Sequence, residues 1–399
     1  MPSTTTARAA AWAPVATCWL GYVAIGIGFN VLGPVLPALR SDLHTGYAGL
    51  ALLFAAGSLG STLATLVGNR LLDRLRYRRT LILAGVMYGA ALSVRYLSHS
   101  LPVWAGLSLI GGFAGSGIDI AGARYVAAAP GEGRSRALNL LNVFYSVGGL
   151  TAPLLVGGLA LAGADVLWAY VASGLIGLGT AALAAAYMPE VRPRAGEGTA
   201  VAGWRWALGQ PALVRLAVAI GLYAGVEVAF AGWVASYAQS RDHLTVAAAA
   251  VFPLLFWVSM TVGRSLASER ARHWSERRLV ALGVGLAVIG GLLVLVVPWP
   301  VALAAGAALA GLGCAPIFPT VFALAARRAP ERHSEAYALL FSAASAGVLL
   351  MPWLAGQLFA LAGATAAIAV PVAGAVSMAA VLAHAFLRDR DVRAEAARA

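Results

Sequence analysis

The sequence predicts an all-α membrane protein: twelve transmembrane helices in two six-helix bundles, with the N- and C-termini cytoplasmic. Three observations predict it. The 399 residues are 60% hydrophobic and 11% charged, where a soluble domain carries about 25% charge. The apolar residues fall in long runs, most of them close to or above the roughly 20 residues that a helix needs to cross hydrocarbon. The arginines lie between these runs, mostly on alternate sides, as the positive-inside rule requires.

The runs fall near 14–39, 47–70, 80–98, 101–128, 135–161, 164–188, 212–239, 245–266, 278–297, 299–326, 334–361 and 364–387. The gaps at Ser98 to Leu101 and Val297 to Trp299 are short, so their flanking helices pack antiparallel. The longest polar break holds two prolines and mixed charge, and it divides the runs six and six. We therefore read 1–188 as an N-terminal six-helix bundle, 189–211 as a cytoplasmic linker and 212–399 as a C-terminal six-helix bundle. All 28 basic residues are arginine and the net charge is +12. With the N-terminus inside, only Arg40, Arg95 and Arg241 fall in outer loops. That charge addresses a lipid leaflet and not nucleic acid.

The first residues, MPSTTTARAAAWAP, lack a small-residue cleavage site after an apolar core, so no cleaved signal peptide is expected. Cys18 and Cys314 both lie inside apolar runs, which gives no disulfide framework and no metal spacing. The six histidines are scattered without a nucleophile beside a base. No enzyme activity, cofactor or metal is expected.

The seventh run, LYAGVEVAFAGWVASYA, carries one acid at its centre, Glu227. An ionised carboxylate at mid-bilayer costs about 2.5–3.5 kcal/mol on insertion scales, so it marks a function unless it is neutral and merely packed. Tyr223 lies one turn earlier on the same face. Trp233 and Tyr237 form a second stripe, about a third of a turn away on an ideal helix. Gly225 and Gly232 are the residues that would loosen this helix and bring the stripes together. Asp119, in the fourth run, is the second intramembrane acid. Arg124 follows it at i+5, off its face, and is placed to reach the inner surface.

Two loops repeat. After the second run stand Gly68, Asp73, Arg74, Arg76, Arg78 and Arg79. After the eighth stand Gly263, Arg264, Glu269, Arg270, Arg277 and Arg278. A small residue, an acid and an arginine cluster recur at corresponding places, as two six-span repeats would produce.

The first of these loops resembles the signature loop of the major facilitator superfamily, a Gly with an Asp five residues on and then paired basic residues. Gly68, Asp73, Arg78 and Arg79 fit it, and Leu75 stands where a further glycine is usual. The resemblance covers nearly the whole chain. It implies a gating latch of Gly68, Asp73, Arg78 and Arg79, with Glu269 at the matching place in the second half. YAGVEVAFAGW, GSGIDIAG, LNLLNVFYSVGGLTAPL and GLGCAPIFPT resemble the fucose-type and glucose-type sugar:cation symporters within it. Arg124 stands where that group has asparagine, and Asn142 where histidine is common.

The resemblance implies a secondary active transporter for a small solute, a sugar or sugar-like molecule, working by alternating access coupled to H⁺ or Na⁺. Glu227 and Asp119 are the ion-coupling candidates. The solute-binding candidates are Asn30, Asn142, Tyr145, Tyr223, Trp233, Trp257 and Gln357. Amides suit hydroxyl-rich ligands, and an indole face can stack on a sugar ring. Each also has a structural role open to it: helix–helix hydrogen bonding for the amides, packing for the rings. Two other functions compete. A proton-coupled exporter of drugs or amphipathic compounds has only a partial match to the fifth-span antiporter motif, and Ser108 or its neighbours stand where that family places an arginine in the fourth span. A lipid transporter requires a lateral opening. The expected setting is the inner or plasma membrane, with a small solute, H⁺ or Na⁺ and the bilayer as partners, and the chain as a monomer.

Overall fold

The computed structural model describes residues 4–128, 134–191, 204–271 and 273–396, less the side chains of 4–11, 69–70, 72–73, 134–139, 204 and 388–396. Helices account for nearly all of it. In chain order they are α1 (Thr4–Asn30), α2 (Leu32–Asp42), α3 (Tyr47–Arg95), α4 (Leu101–Ala127), α5 (Arg134–Leu161), α6 (Trp168–Tyr187), α7 (Trp204–Leu208), α8 (Pro211–Asp242), α9 (Val246–Ala249), α10 (Val251–Arg270), α11 (Glu276–Val296), α12 (Pro300–Cys314), α13 (Ile317–Arg328), α14 (His333–Ala362) and α15 (Ala364–Ala396). Among the described residues, 11 helical stretches are long and apolar enough to cross a membrane.

The departures from twelve uniform runs have local causes. The first run breaks at Val31, because Pro34 has no N–H to give the Asn30 carbonyl and its ring crowds that carbonyl. The tenth breaks around Ala315 and Pro316, and the eighth begins with the short α9 three residues before Pro253. Pro153, Pro352 and Pro371 lie inside helices that continue past them. The second and third runs are joined in α3, whose backbone leaves helical geometry at Arg76 with φ 64°. An arginine in this region, which with ψ 164° is essentially reserved for glycine, costs on the order of 1–3 kcal/mol, and it turns the chain between the two apolar stretches. The stretch beyond it, from Thr80 to Arg95, is the part of the third run that α3 contains.

The chain divides into two units. The first comprises Met1–Gly198 with Thr245–Ala250, and the second Thr199–Leu244 with Val251–Ala399. The segment 245–250 belongs with the first because α9 packs on α5, where Gly157 leaves room for Ala250. Inside each unit the pairings correspond. In the first, α1 packs on α5, and α3 on both α4 and α6; in the second, α8 packs on α14, α10 on α12 and α11 on α15. A histidine with left-handed backbone follows α2 in the first unit and α8 in the second, His44 at φ 47° and His243 at φ 54°.

Lipid tails are as apolar as leucine, so helices gain by close approach and not by leaving lipid. A Cβ added to Gly26 would overlap the Tyr145 carbonyl of α5, and one on Gly347 of α14 would overlap the Gly221 carbonyl of α8. Gly225 sits against Gly347 and Met351 in the same crossing. It therefore brings α14 close and leaves α8 one unbroken helix, where the sequence suggests a loosened one. The Tyr223–Glu227 and Trp233–Tyr237 stripes stay on separate faces.

Gly347→Leu is expected to destabilise the second unit by about 3 kcal/mol, the upper end for overpacking, because the obstacle is backbone. A Cβ added to Gly285 of α11 would have nothing within 4 Å of it, so Gly285→Ala should be neutral or stabilise by up to about 1 kcal/mol. Thermal unfolding of the purified variants in detergent checks both.

Candidate functional site

Glu227 lies near the middle of α8, half-buried. One turn earlier Tyr223 is fully buried, with its ring 6.2 Å from that of Phe318 on α13. Its hydroxyl is buried and lies near the Glu227 carboxyl. Arg264 of α10 and Cys314 at the end of α12 are within electrostatic reach of the same carboxyl. Groups from α8, α10 and α12 of the second unit thus lie within electrostatic reach of one acid. A cation nearby favours the charged carboxylate and burial the neutral one. Arg264 reads in the sequence as an inner-loop arginine; its reach to Glu227 shows only when α10 is set beside α8.

The other sequence candidates divide. Trp233 has no exposed surface; its indole N–H donates to the Pro352 carbonyl at 2.9 Å and its ring lies 5.6 Å from Phe359. Trp257 is buried edge-on to Phe256 at 5.6 Å. In this conformation both rings are packing residues of the second unit and offer no face to a solute. Asn30 turns its amide back along its own helix onto the Gly26 carbonyl at 2.8 Å, which leaves its carbonyl end as the free function. Asn142 is exposed, and Tyr145 and Gln357 are half-buried.

Asp119 is exposed on α4. Tyr22 of α1, itself buried, donates its hydroxyl to the Asp119 carboxylate and, at 3.2 Å, to the Asp119 backbone carbonyl. Gly122, one turn on from Asp119, makes room for the Tyr22 ring: a Cβ there would lie 3.1 Å from it. The sequence shows the acid and not its donor, which is 97 residues away.

A family model for the Major Facilitator Superfamily matches residues 18–300 and 270–399. The chain belongs to the major facilitator superfamily. Among curated relatives it resembles a protein TsgA homolog of Erwinia tasmaniensis, 26% identical over 265 residues, which is 66% of each chain. The chain thus spans slightly less than two thirds of that relative's length. A TsgA homolog of Yersinia pseudotuberculosis serotype O:1b is 21% identical over 88% of this chain and 89% of its own. Among solved structures, a nucleoside transporter NupG variant superposes with TM-score 0.80 at 10% identity, over 94% of this chain and 100% of that one. A bacterial homolog of the human lysosomal transporter Spinster, inward-facing and occupied, gives TM-score 0.75 at 15% identity, over 94% and 96%. Identities this low speak for the fold alone. As a member of the superfamily the protein is a multi-pass membrane transporter of small solutes, and not an enzyme.

The signature loop of this superfamily member is held mainly from its own unit. Arg76 pairs with Glu190 at 3.0 Å and Arg78 with the other oxygen of Glu190 at 3.8 Å. Arg78 also donates to the Ala185 carbonyl near the end of α6, where a cation meets the negative end of the helix dipole. Arg79 is exposed, Gly68 faces Ile120 of α4, and Glu269 is exposed. The Asp73 side chain lies outside the described residues. The acid that engages these arginines is Glu190, from the start of the expected linker.

Arg95 corrects a second expectation. Read as an outer-loop residue, it is buried inside the first unit, at 6% exposure. It donates to Ser108 at 3.0 Å and stacks 4.9 Å from the Tyr170 ring and 5.5 Å from the Trp104 ring. A weakly hydrated guanidinium suits such an aromatic cage, and an ammonium does not. Arg241, another of the three expected outer-loop arginines, holds Asp242 through two nitrogens and donates to Tyr237 and to the Val294 and Val297 carbonyls at the end of α11. It ties α8 to α11.

Magnitudes separate these contacts. The Glu190 pairs are about one-third exposed on each side, so Glu190→Gln should cost no more than about 1 kcal/mol. Arg95→Ala removes two desolvated cation–π contacts and a hydrogen bond, and should cost about 2 kcal/mol or more. Unfolding midpoints that ranked the two variants the other way round would contradict this assignment of roles.

Proposed function

We propose that the protein is a secondary active transporter with twelve transmembrane helices, termini cytoplasmic, in the inner or plasma membrane, moving a small polar solute by alternating access coupled to H⁺ or Na⁺. The solute class supported best is a sugar or sugar-like, hydroxyl-rich molecule. The observation that carries the reading is Glu227, an acid near mid-span with Tyr223 and Arg264 near it. An intramembrane carboxylate is costly unless it has a task, and one set between a cation and burial can bind an ion in one conformation and release it in another. A nucleoside contains a sugar, so the nucleoside transporter among the solved likenesses agrees with the class without naming a member of it.

In this reading H⁺ or Na⁺ neutralises Glu227 and releases its hold on Arg264, and the solute-competent state follows. Asp119, held by Tyr22, is the second coupling group. Asn142 and Tyr145 in the first unit, and Gln357 in the second, are the proposed solute ligands, while Tyr223, buried like Trp233 and Trp257, serves beside Glu227. Gly68, Arg78, Arg79 and Glu269 are the proposed gate. An ion moving down 100 mV yields about 2.3 kcal/mol, enough for roughly fiftyfold accumulation at equilibrium.

Purified protein in vesicles, screened with sugars and nucleosides beside cationic drugs, should accumulate a hydroxylated solute under an imposed ion gradient. Glu227→Gln is expected to abolish accumulation while leaving downhill exchange. Full gradient-driven accumulation by that variant removes Glu227 as the carrier, and uptake or extrusion confined to the cationic drugs replaces the sugar reading with export.

A further inference from the structure

The turn between α10 and α11 carries charges that the transport reading does not use. α10 ends on Arg270, and the backbone N–H groups of His273 and Trp274 donate back to the Arg270 carbonyl at 3.0 and 2.8 Å. This fold brings the Trp274 indole beside two guanidinium groups. Arg270 lies 5.5 Å and Arg278 4.3 Å from its centroid. Both arginines are exposed, and among the described residues neither pairs with a carboxylate. Their neighbours do: Arg327 holds Glu276 at 3.2 Å, and Arg332 holds Glu335 at 3.7 Å.

Stacking on a ring uses the faces of a guanidinium and leaves its N–H fork free in the plane. It also gathers two guanidinium charges at one ring, 5.5 and 4.3 Å from its centroid. Such an arrangement suits an anion with several acceptor oxygens, and a phosphate is the geometric match for two forks. The surroundings choose the carrier of that phosphate. Leu266, Val262 and Val258 run back along α10 from Arg270 at four-residue spacing, all exposed. Leu282 stands one turn on from Arg278 along α11, exposed, with Ile289 exposed beyond it. Each arginine therefore tops an apolar stripe of a membrane-spanning helix. The half-buried indole between them is the residue type that sits at headgroup level.

We propose that Arg270, Arg278 and Trp274 bind the headgroup of an anionic phospholipid, with its phosphate between the two guanidinium groups and its chains along the Leu266 and Leu282 stripes. A free phosphate ion would meet the arginines but gain nothing from the stripes.

The test uses the full chain in mixed micelles with phosphatidylglycerol or phosphatidylcholine, reading retained lipid by native mass spectrometry and the unfolding midpoint in parallel. The wild type is expected to retain phosphatidylglycerol in preference and to unfold later with it. An arginine near an anionic surface is worth about fivefold in binding, so Arg270→Gln with Arg278→Gln should cut the preference on the order of tenfold or more. Trp274→Leu keeps both charges and loses the clamp, so it should fall between. Arg327→Gln removes a neighbouring charge that Glu276 already engages and should leave the preference intact. Equal retention of the two lipids by the wild type overturns the proposal. So does an unchanged preference in the double or the Trp274 variant, an equal loss in Arg327→Gln, or the same midpoint shift from inorganic phosphate alone.

Discussion

Backbone meeting backbone through glycine is the constraint on which the rest of the structure depends. In a bilayer each span satisfies its own peptide groups, and apolar side chains gain little by leaving lipid for one another. Attraction between spans then comes from dispersion over surfaces that fit closely, and glycine supplies the closest fit. The crossings of α1 with α5 and of α8 with α14 both follow this rule. Gly112 of α4 lies against Gly57 of α3, and Gly311 of α12 against Phe256 of α10. The same solution recurs at matching pairs in the two units, so the internal repeat is a repeat of contacts and not only of hydropathy.

Those crossings decide where polar groups can be placed. Once α3, α4 and α6 are packed, Arg95 has no route to water, and Ser108, Trp104 and Tyr170 become its solvent. Once α8 and α11 are packed, Arg241 closes the end of α11 by donating to its last carbonyls. The arginines of this chain therefore sort by their partners. Some meet acids, as Arg76 and Arg78 meet Glu190. Some meet rings, as Arg95 does and as Arg270 and Arg278 do. Charge counting along the sequence treats all of them alike, as markers of one side of the membrane.

This is why the architecture was legible and much of the site was not. Run length and arginine placement expose the spans, because hydrocarbon thickness and the cost of charge act on sequence directly. Whether a proline breaks a helix or is passed over depends on packing and is not legible in the sequence: Pro316 breaks its helix and Pro352 does not. The direction of a tryptophan face is a different matter. In a membrane protein the lipid-facing, core-facing and cavity-facing sides of a helix can all be apolar, so no periodicity separates Trp233 as a packing ring from Trp233 as a stacking platform. The acids were visible because they are rare in such runs. Their partners Tyr22 and Arg264 were not, because each belongs to a helix distant in sequence and looks ordinary there.

The helix α8 shows how these levels join. Gly221 and Gly225 face α14. Trp233 and Tyr237, further along, lock onto α14 and α11 through the Pro352 and Val294 carbonyls. Tyr223 and Glu227 use the face between, toward α10 and α13. One rigid helix thus carries a packing face at one end, two hydrogen-bonded rings at the other and an acid between them. The glycine crossing and the indole hydrogen bond, both made to α14, thus fix the face on which α8 presents Glu227.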